Sequence, residues 1–236
     1  MLHSVTSRRT DTRRQVRYAE SVTTPRTHRR SPDAEQAVPE RVVGLLLAAG
    51  GGRRLGGRPK ALLAHRGRPL VEHAVRSLRE GGCERVHVVL GAGADEVRAR
   101  ASLPDCVLVD NPAWQQGMGS SLRAGLTSLT GTDARAALVL LVDQPGIGPE
   151  AVARVLGARA AREPRELLVS ATYAGARGHP VLFGSAHWAG VAATATGDRG
   201  ARAYLKEHAD RITLVECGDV AEPYDIDTEE DLTRLD

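Results

Sequence analysis

From Arg41 onward, short apolar runs alternate with amphipathic segments, and this alternation limits the fold more than any other feature of the chain. Strand-like runs lie at Val42–Ala48, Arg85–Leu90, Cys106–Val109, Ala136–Val142, Glu166–Thr172, Val181–Phe183 and Ile212–Val215. Helix-like segments lie between them, at Leu70–Glu80, Ala94–Ala101, Ser120–Thr130, Pro149–Arg162 and Arg199–His208. Strands alternating with amphipathic helices predict an α/β, three-layer, Rossmann-like fold with a mainly parallel sheet covered on both faces. Ligands of such sheets sit beyond the carboxyl ends of the strands. Three loops then attract attention: 49–60 after the first strand, 110–119 after the third and 143–148 after the fourth.

The first of these loops carries most of the chemistry. Val42–Ala48 reads as a buried strand, and the chain continues as Ala49-Gly50-Gly51-Gly52-Arg53-Arg54-Leu55-Gly56-Gly57-Arg58-Pro59-Lys60. Glycines let main-chain N–H groups approach a phosphate without a side chain in the way. Arginines and a lysine add positive charge that suits a triphosphate. Lysine is scarce here: of 32 Lys plus Arg, only Lys60 and Lys206 are lysine. Two common glycine loops do not match. A P-loop needs glycine before its lysine and Ser or Thr after it, whereas Pro59 and Ala61 flank Lys60. A Rossmann fingerprint counted from Gly50 and Gly52 needs a third glycine where Leu55 stands, and Pro59 disfavours a helix directly behind the loop.

Composition removes other classes. The sequence pI is near 9.0, but the basic excess is local. Residues 1–40 hold eight arginines against five acids, the same +3 as the entire chain, so residues 41–236 are balanced. Residues 1–40 are polar, lack apolar periodicity and are expected to be a disordered Arg-rich tail. Aromatic residues make up 3%, too few for the stacking platforms of many single-stranded nucleic-acid binders. A nucleic-acid partner is not expected. Three widely spaced cysteines without a CxxC pair fit a reducing cytoplasm rather than a disulfide framework or zinc site. No stretch reaches the length of a membrane span, and no secretory h-region follows the N-terminal arginines.

Several motifs then converge. The run L-A-A-G-x(3)-R-L-G-x(3)-K over Leu47–Lys60 resembles the signature of nucleotidyltransferases that build nucleotide-diphosphate linkages. The segment Asn111-Pro112-Ala113-Trp114-Gln115-Gln116-Gly117-Met118-Gly119-Ser120-Ser121-Leu122 resembles N-P-x-W-x-x-G-[ML]-x-x-S-[LI] of molybdenum cofactor cytidylyltransferases and close relatives. Asp143-Gln144-Pro145 resembles a D-Q-P or D-M-P metal motif, and Asp225-Ile226-Asp227-Thr228 resembles the family's D-[IV]-D-T ending. Gly175–Phe183 and Gly197–Arg202 are similar to the G-x-x-G-[HN]-P and G-D-x-G-A-R motifs of the cytidylyl branch.

The resemblance spans about Val42 to Leu232 and implies an NTP transferase domain over 41–236, with a sheet of the nucleotide-diphospho-sugar transferase type. It implies that Leu47, Ala48, Ala49 and Gly50 lie along base and ribose, that Gly51, Gly52 and Arg54 approach the phosphates, and that Gly117, Met118 and Ser121 also bind the nucleotide. Arg54, Lys60 and Asp143 are the implied catalytic residues. Mg²⁺ would sit on Asp143 and on Asp227 or Asp225. The two alternate with Ile226, so an extended segment points both to one side, and the sequence does not separate them. Thr228 followed by Glu229, Glu230 and Asp231 reads as a helix cap with helix-start charges.

His179, Pro180, Asp198 and Arg202 are the implied acceptor side. The implied reaction transfers CMP from CTP to the terminal phosphate of molybdopterin and releases pyrophosphate, serving a molybdenum hydroxylase. Guanylyl transfer, another phosphorylated acceptor, or a non-catalytic molybdenum-cofactor chaperone are the competing readings.

Overall fold

The strand-like runs assemble into a single seven-stranded sheet. A computed structural model of the chain describes residues 41–158 and 163–235. The expected tail over 1–40 and the end of the helix expected over 149–162 lie outside the described residues. β1 (Val42–Ala48) is buried along its whole length. It runs parallel to β4 (Arg85–Leu90) on one side and β6 (Ala136–Leu141) on the other, and β4 pairs in parallel with β5 (Cys106–Asp110). Beyond β6 the direction changes. β8 (Ala176–Gly184) is antiparallel to both β6 and β7 (Leu168–Tyr173), and β7 pairs in parallel with β9 (Thr213–Glu216). The order is β5-β4-β1-β6-β8-β7-β9. A separate two-stranded hairpin, β2 (Ala64–His65) with β3 (Arg68–Pro69), precedes the first helix.

Helices cover both faces. α1 (Leu70–Glu80), α2 (Ala94–Arg100) and α4 (Pro149–Gly157) pack on one side, and α3 (Met118–Ser128), α5 (Trp188–Thr194) and α6 (Arg202–Glu207) on the other. The period-two alternation of β1 serves both cores: Val42, Leu46 and Ala48 face the first layer, and Val43, Leu45 and Leu47 the second. α1 supplies the first layer with Leu70, Val71, Ala74, Val75 and Leu78, an apolar stripe at helical spacing. α4 starts with Pro149 at its first turn, where a missing N–H is tolerated.

Three local expectations change. The run Val181–Phe183 is the inner end of the longer β8, whose outer end is exposed at Ala176 and Arg177 and whose Gly178 and Pro180 make the pattern read as loop. The short helix α5 escapes a periodicity search because it spans seven residues and contains a glycine. Gly190 is needed there: a Cβ would lie 2.5 Å from Tyr204 Cε2, the ring that joins α5 to α6. The helix expected over Ser120–Thr130 starts earlier, at Met118.

α3 lies unusually close to β1. A Cβ at Gly125 would meet Leu45 Cδ1 at 2.6 Å and Val89 Cγ2 at 3.0 Å, and neither side chain is exposed. Two effects oppose each other in Gly125→Ala. Helix propensity favours alanine by about 1 kcal/mol, while overpacking a filled core costs about 1–3 kcal/mol. The contact distance makes the second term larger, so the variant is expected to lose about 1 kcal/mol or more in urea unfolding. A gain in stability would contradict this helix–sheet packing.

Candidate active site

The glycine loop leaves the sheet at the carboxyl end of β1 and folds back on itself. Gly52 has φ +55°, and a Cβ there would lie 2.2 Å from the Arg58 carbonyl oxygen. The Gly52 carbonyl accepts the N–H groups of Leu55 (2.8 Å) and Gly57 (3.0 Å), and the Gly50 carbonyl accepts that of Lys60 (3.1 Å). These bonds return Lys60 to the base of the loop. Trp114 lies over the loop: a Cβ on Gly51 would meet its ring at 2.9 Å, and one on Gly91 would meet its Cβ at 2.5 Å.

Lys60 is buried, and its Nζ donates to Asp143 Oδ2 at 2.7 Å and to Asp227 Oδ1. Burial disfavours the ammonium charge, but Asp143 and Asp227 outweigh it and hold the Lys60 pKa above its ordinary value. Arg54 is mostly exposed, with its guanidinium 3.9 Å from Asp227 Oδ2. Asp143 stands just past the end of β6, beside the loop, where the Leu47 carbonyl accepts the Val142 N–H at 3.1 Å.

The C-terminal segment is fastened to the 143–146 turn. The Asp143 carbonyl accepts the Ile226 N–H (2.9 Å), and the Gly146 carbonyl accepts the Glu222 N–H (3.2 Å). Ile226 is fully buried, and the two aspartates that flank it line the cleft. The structure separates them by partner. Asp227 faces Lys60, whereas Asp225 Oδ1 accepts a hydrogen bond from Gln144 Nε2 at 2.8 Å. Burial raises the Asp225 pKa, with the Gln144 bond acting against it. Thr228 and Asp231 form a reciprocal cap: Asp231 Oδ2 accepts the Thr228 N–H at 2.8 Å, and Thr228 Oγ1 accepts the Asp231 N–H at 3.4 Å. Glu229, expected as a helix-start charge, also pairs with Arg58 of the glycine loop at 2.6 Å.

The second loop motif is internally bonded. Buried Asn111 donates from Nδ2 to Ser120 Oγ (2.9 Å) and Ser121 Oγ (3.0 Å), and its Oδ1 accepts the Ala113 N–H (3.1 Å). Ser120 Oγ donates to the Gly117 carbonyl at 2.8 Å. No side chain caps α3; it opens from Gly117 at φ +95°. A Cβ on Gly117 would lie 2.5 Å from Asp198 Oδ1, and one on Gly119 would lie 2.7 Å from the Thr196 N. Glycine at these two positions therefore lets the 196–202 segment close against the start of α3.

Together these elements enclose a cleft of about 580 Å³. Its wall includes Leu47, Ala49, Gly50, Gly51, Gly52, Arg54, Lys60, Gly117, Met118, Ser121, Asp143, Asp198, Arg202, Asp225 and Asp227, all picked out by sequence motif. Three of the motif residues fall elsewhere. The Ala48 side chain points into the core on the opposite face, because β1 alternates. Pro180 is buried in β8, and half-buried His179 lies outside the cleft wall. Burial, with the nearby Arg202 charge, pushes the His179 pKa down to about 4. Arg53, Trp114, Gln115, Gln116, Leu141 and Val142 also line the cleft. Trp114 is the fixed tryptophan of the N-P-x-W segment, and the two glutamines stand at its variable positions.

The divalent metal implied by resemblance can be tested against this donor set. Among the described residues, no group of three or more His, Cys, Asp or Glu could hold a metal ion. Magnesium, however, commonly takes one or two carboxylates and completes its shell with water and substrate phosphate. Asp143 and Asp227 offer such a pair of hard oxygen donors, beside a loop suited to phosphate, so the residues fit a metal that arrives with phosphate.

The chain belongs to the MobA-like NTP transferase family, whose domain matches residues 44–212. It is 42% identical over 206 residues to nicotine blue oxidoreductase of Paenarthrobacter nicotinovorans, covering 82% of this chain and 96% of that protein. Among solved structures, the homologue of Mycobacterium tuberculosis Rv0371c from Mycobacterium sp. strain JC1 superposes with TM-score 0.69 at 30% identity, over 83% of this chain and 95% of that one. Rv0371c in complex with manganese gives TM-score 0.64 at 27% identity, covering 83% of this chain and 97% of that one. A nucleotidyl transferase from Methanothermobacter, at 23% identity and TM-score 0.68 over 83% of this chain and 95% of that one, shares the fold. The sheet is thus of the nucleotide-diphospho-sugar transferase type. Among the described residues, no helix is long and apolar enough to cross a membrane.

The His179 shift has a consequence for acid stability. Its native pKa lies below the ordinary 6.5, at about 4. As pH falls through 6.5 toward 4, the unfolded chain takes up a proton that the native state refuses, so native stability declines across that window. His179→Asn is expected to show a smaller drop in urea midpoint between pH 7 and pH 5 than the unaltered protein. Equal drops would mean that the imidazole is not held neutral.

Proposed function

We propose that this protein is a metal-dependent nucleotidyltransferase that moves a nucleoside monophosphate from a triphosphate to a phosphorylated acceptor. The observation that carries this reading is Lys60 held between Asp143 and Asp227 beneath a glycine loop. An acceptor phosphate oxygen attacks the α-phosphorus, the α–β bridging P–O bond breaks, and pyrophosphate leaves. The loop N–H groups and Arg54 receive the phosphates, and Lys60 neutralises charge that develops on the transferring and leaving groups. Asp143 and Asp227 would hold the divalent cation, which when bound supplies further neutralisation of phosphate charge. Asp225, tied to Gln144, is the less suitable ligand. No general base is required, because a phosphate monoester is already ionised near neutral pH.

The finer assignment rests on sequence resemblance to the cytidylyl branch: CTP as donor, a molybdopterin-type phosphate as acceptor, Mg²⁺ as metal, and Asp198 and Arg202 on the acceptor side with His179 behind them. Arg202 offers a planar fork for an acceptor phosphate. A second reading has its own support. The relative at 42% identity is named an oxidoreductase, and one fold can host unrelated chemistries. In that case the cleft would serve electron transfer to nicotine blue or a similar compound.

Pyrophosphate release measured with CTP, GTP, ATP and UTP, against molybdopterin and sugar phosphates, tests the first reading. Reduction of nicotine blue by a reduced nicotinamide dinucleotide tests the second. CTP-dependent release is the expected result; GTP preference would reassign the base but keep the chemistry. Silence in every pyrophosphate assay alongside dye reduction would replace the transferase reading. Lys60→Ala and Asp143→Ala are each expected to lower turnover by about 10²–10³-fold with the fold retained by circular dichroism. Near-normal turnover in both would remove their roles.

A further inference from the structure

The two carboxylates that suit a metal already have a cation. Lys60 Nζ bonds to one oxygen of each, at 2.7 Å on Asp143 and closer on Asp227, and the Arg54 guanidinium stands 3.9 Å from the remaining oxygen of Asp227. Lys60 and Arg54 thus offset Asp143 and Asp227, while Asp225 beside them is held by Gln144. A free divalent ion that entered between Asp143 and Asp227 would face the Lys60 ammonium at close range. It would gain little, because both carboxylates already share the Lys60 cation.

A bound triphosphate changes this balance. Lys60 and Arg54 line the same cleft as the glycine loop, and phosphate oxygens there compete with the carboxylates for both cations. Once either cation turns to phosphate, Asp143 and Asp227 are left under-compensated, and a divalent ion is the group that restores neutrality. We infer that Lys60 acts as an internal counter-ion that keeps free divalent metal out of the cleft until a triphosphate draws it away. The cleft thus takes metal together with polyphosphate, and hardly takes metal alone. Because linkage is reciprocal, the metal strengthens triphosphate binding by the same factor. This inference rests on the nucleotidyltransferase reading of the cleft, but its test does not need turnover.

The composition provides the probe. Lys60 and Lys206 are the two lysines of the chain, and Lys206 lies exposed on α6. Protein labelled with ¹³C at the lysine ε-carbon gives two lysine signals by NMR, one from the site and one as an internal control. The expected result is that millimolar Mg²⁺ alone leaves the Lys60 signal in place. A non-hydrolysable triphosphate should move it and leave Lys206 unchanged. Displacement of Lys60 by Mg²⁺ alone would overturn the inference. A Lys60 signal unmoved by any triphosphate would instead count against the nucleotidyltransferase reading.

Calorimetry with Mn²⁺ as the sole ligand gives a second measurement. Lys60→Met should bind Mn²⁺ about tenfold or more tightly than the unaltered protein, within the usual span of coupling between two sites. Lys60→Arg, which keeps the charge, should stay weak. Adding Asp143→Asn to Lys60→Met should cancel the gain. Equal Mn²⁺ affinity in the unaltered protein and Lys60→Met would overturn the inference, and if Lys60→Met does not fold, the NMR titration of the unaltered chain decides.

Discussion

The ion pairs of Lys60 join three distant parts of the chain, and the rest of the site is arranged around them. Lys60 returns from the loop after β1, Asp143 projects from the end of β6, and Asp227 arrives from the C-terminal segment. A buried ammonium needs such partners, since an unpaired charge in this position would be expensive. The parallel pairing of β1 and β6 puts the first two groups at the same edge of the sheet. The third is brought in by main-chain bonds to the 143–146 turn and by burial of Ile226. Arg58 with Glu229 adds an exposed tie between the loop and the same segment, which by itself contributes little.

Two groups of elements wall the cleft. The parallel half, β5 to β6, ends in the glycine loop, the Asn111–Ser121 segment and Asp143. On the other side, the start of α6 and the turn at Gly197–Arg199 build the wall that carries Asp198 and Arg202. Gly117 and Gly119 are the junction: lacking side chains, they let that wall rest on the first turn of α3. Two groups of motifs that lie far apart in the chain meet here, in one cleft.

The sheet and the cleft floor were legible in the sequence for different reasons. Val42–Ala48 and Ala136–Val142 are uninterrupted apolar runs, which only a strand covered on both faces explains. Asp225 and Asp227 alternate about an apolar residue, and the structure buries Ile226 between them. What stayed hidden depends on tertiary packing. The outer end of β8 is exposed and the strand carries glycine and proline, so only its pairing with β7 makes that part a strand. α5 owes its place to Tyr204 packing on Gly190. Ala48 was grouped with its neighbours by motif, although strand alternation turns it to the other core. Gln115 and Gln116 reach the cleft through the turn at Trp114–Gln116, and no periodicity announces such a turn.

Gln144 shows why Asp225 and Asp227, two residues apart, have different partners. Its Nε2 donates to Asp225 Oδ1, while its Oε1 is buried without a protein partner among the described residues. The amide nitrogen of Gln144 donates to Asp225, and an amide oxygen turned toward it could not. The observed orientation is therefore the one that Asp225 imposes. Its effect here is to fix Asp225 beside, but not upon, the Lys60 ammonium. Asp227 then remains the carboxylate that shares Lys60 with Asp143, and the pair that a metal–triphosphate complex would meet is defined by the residue next to Asp143 in the chain.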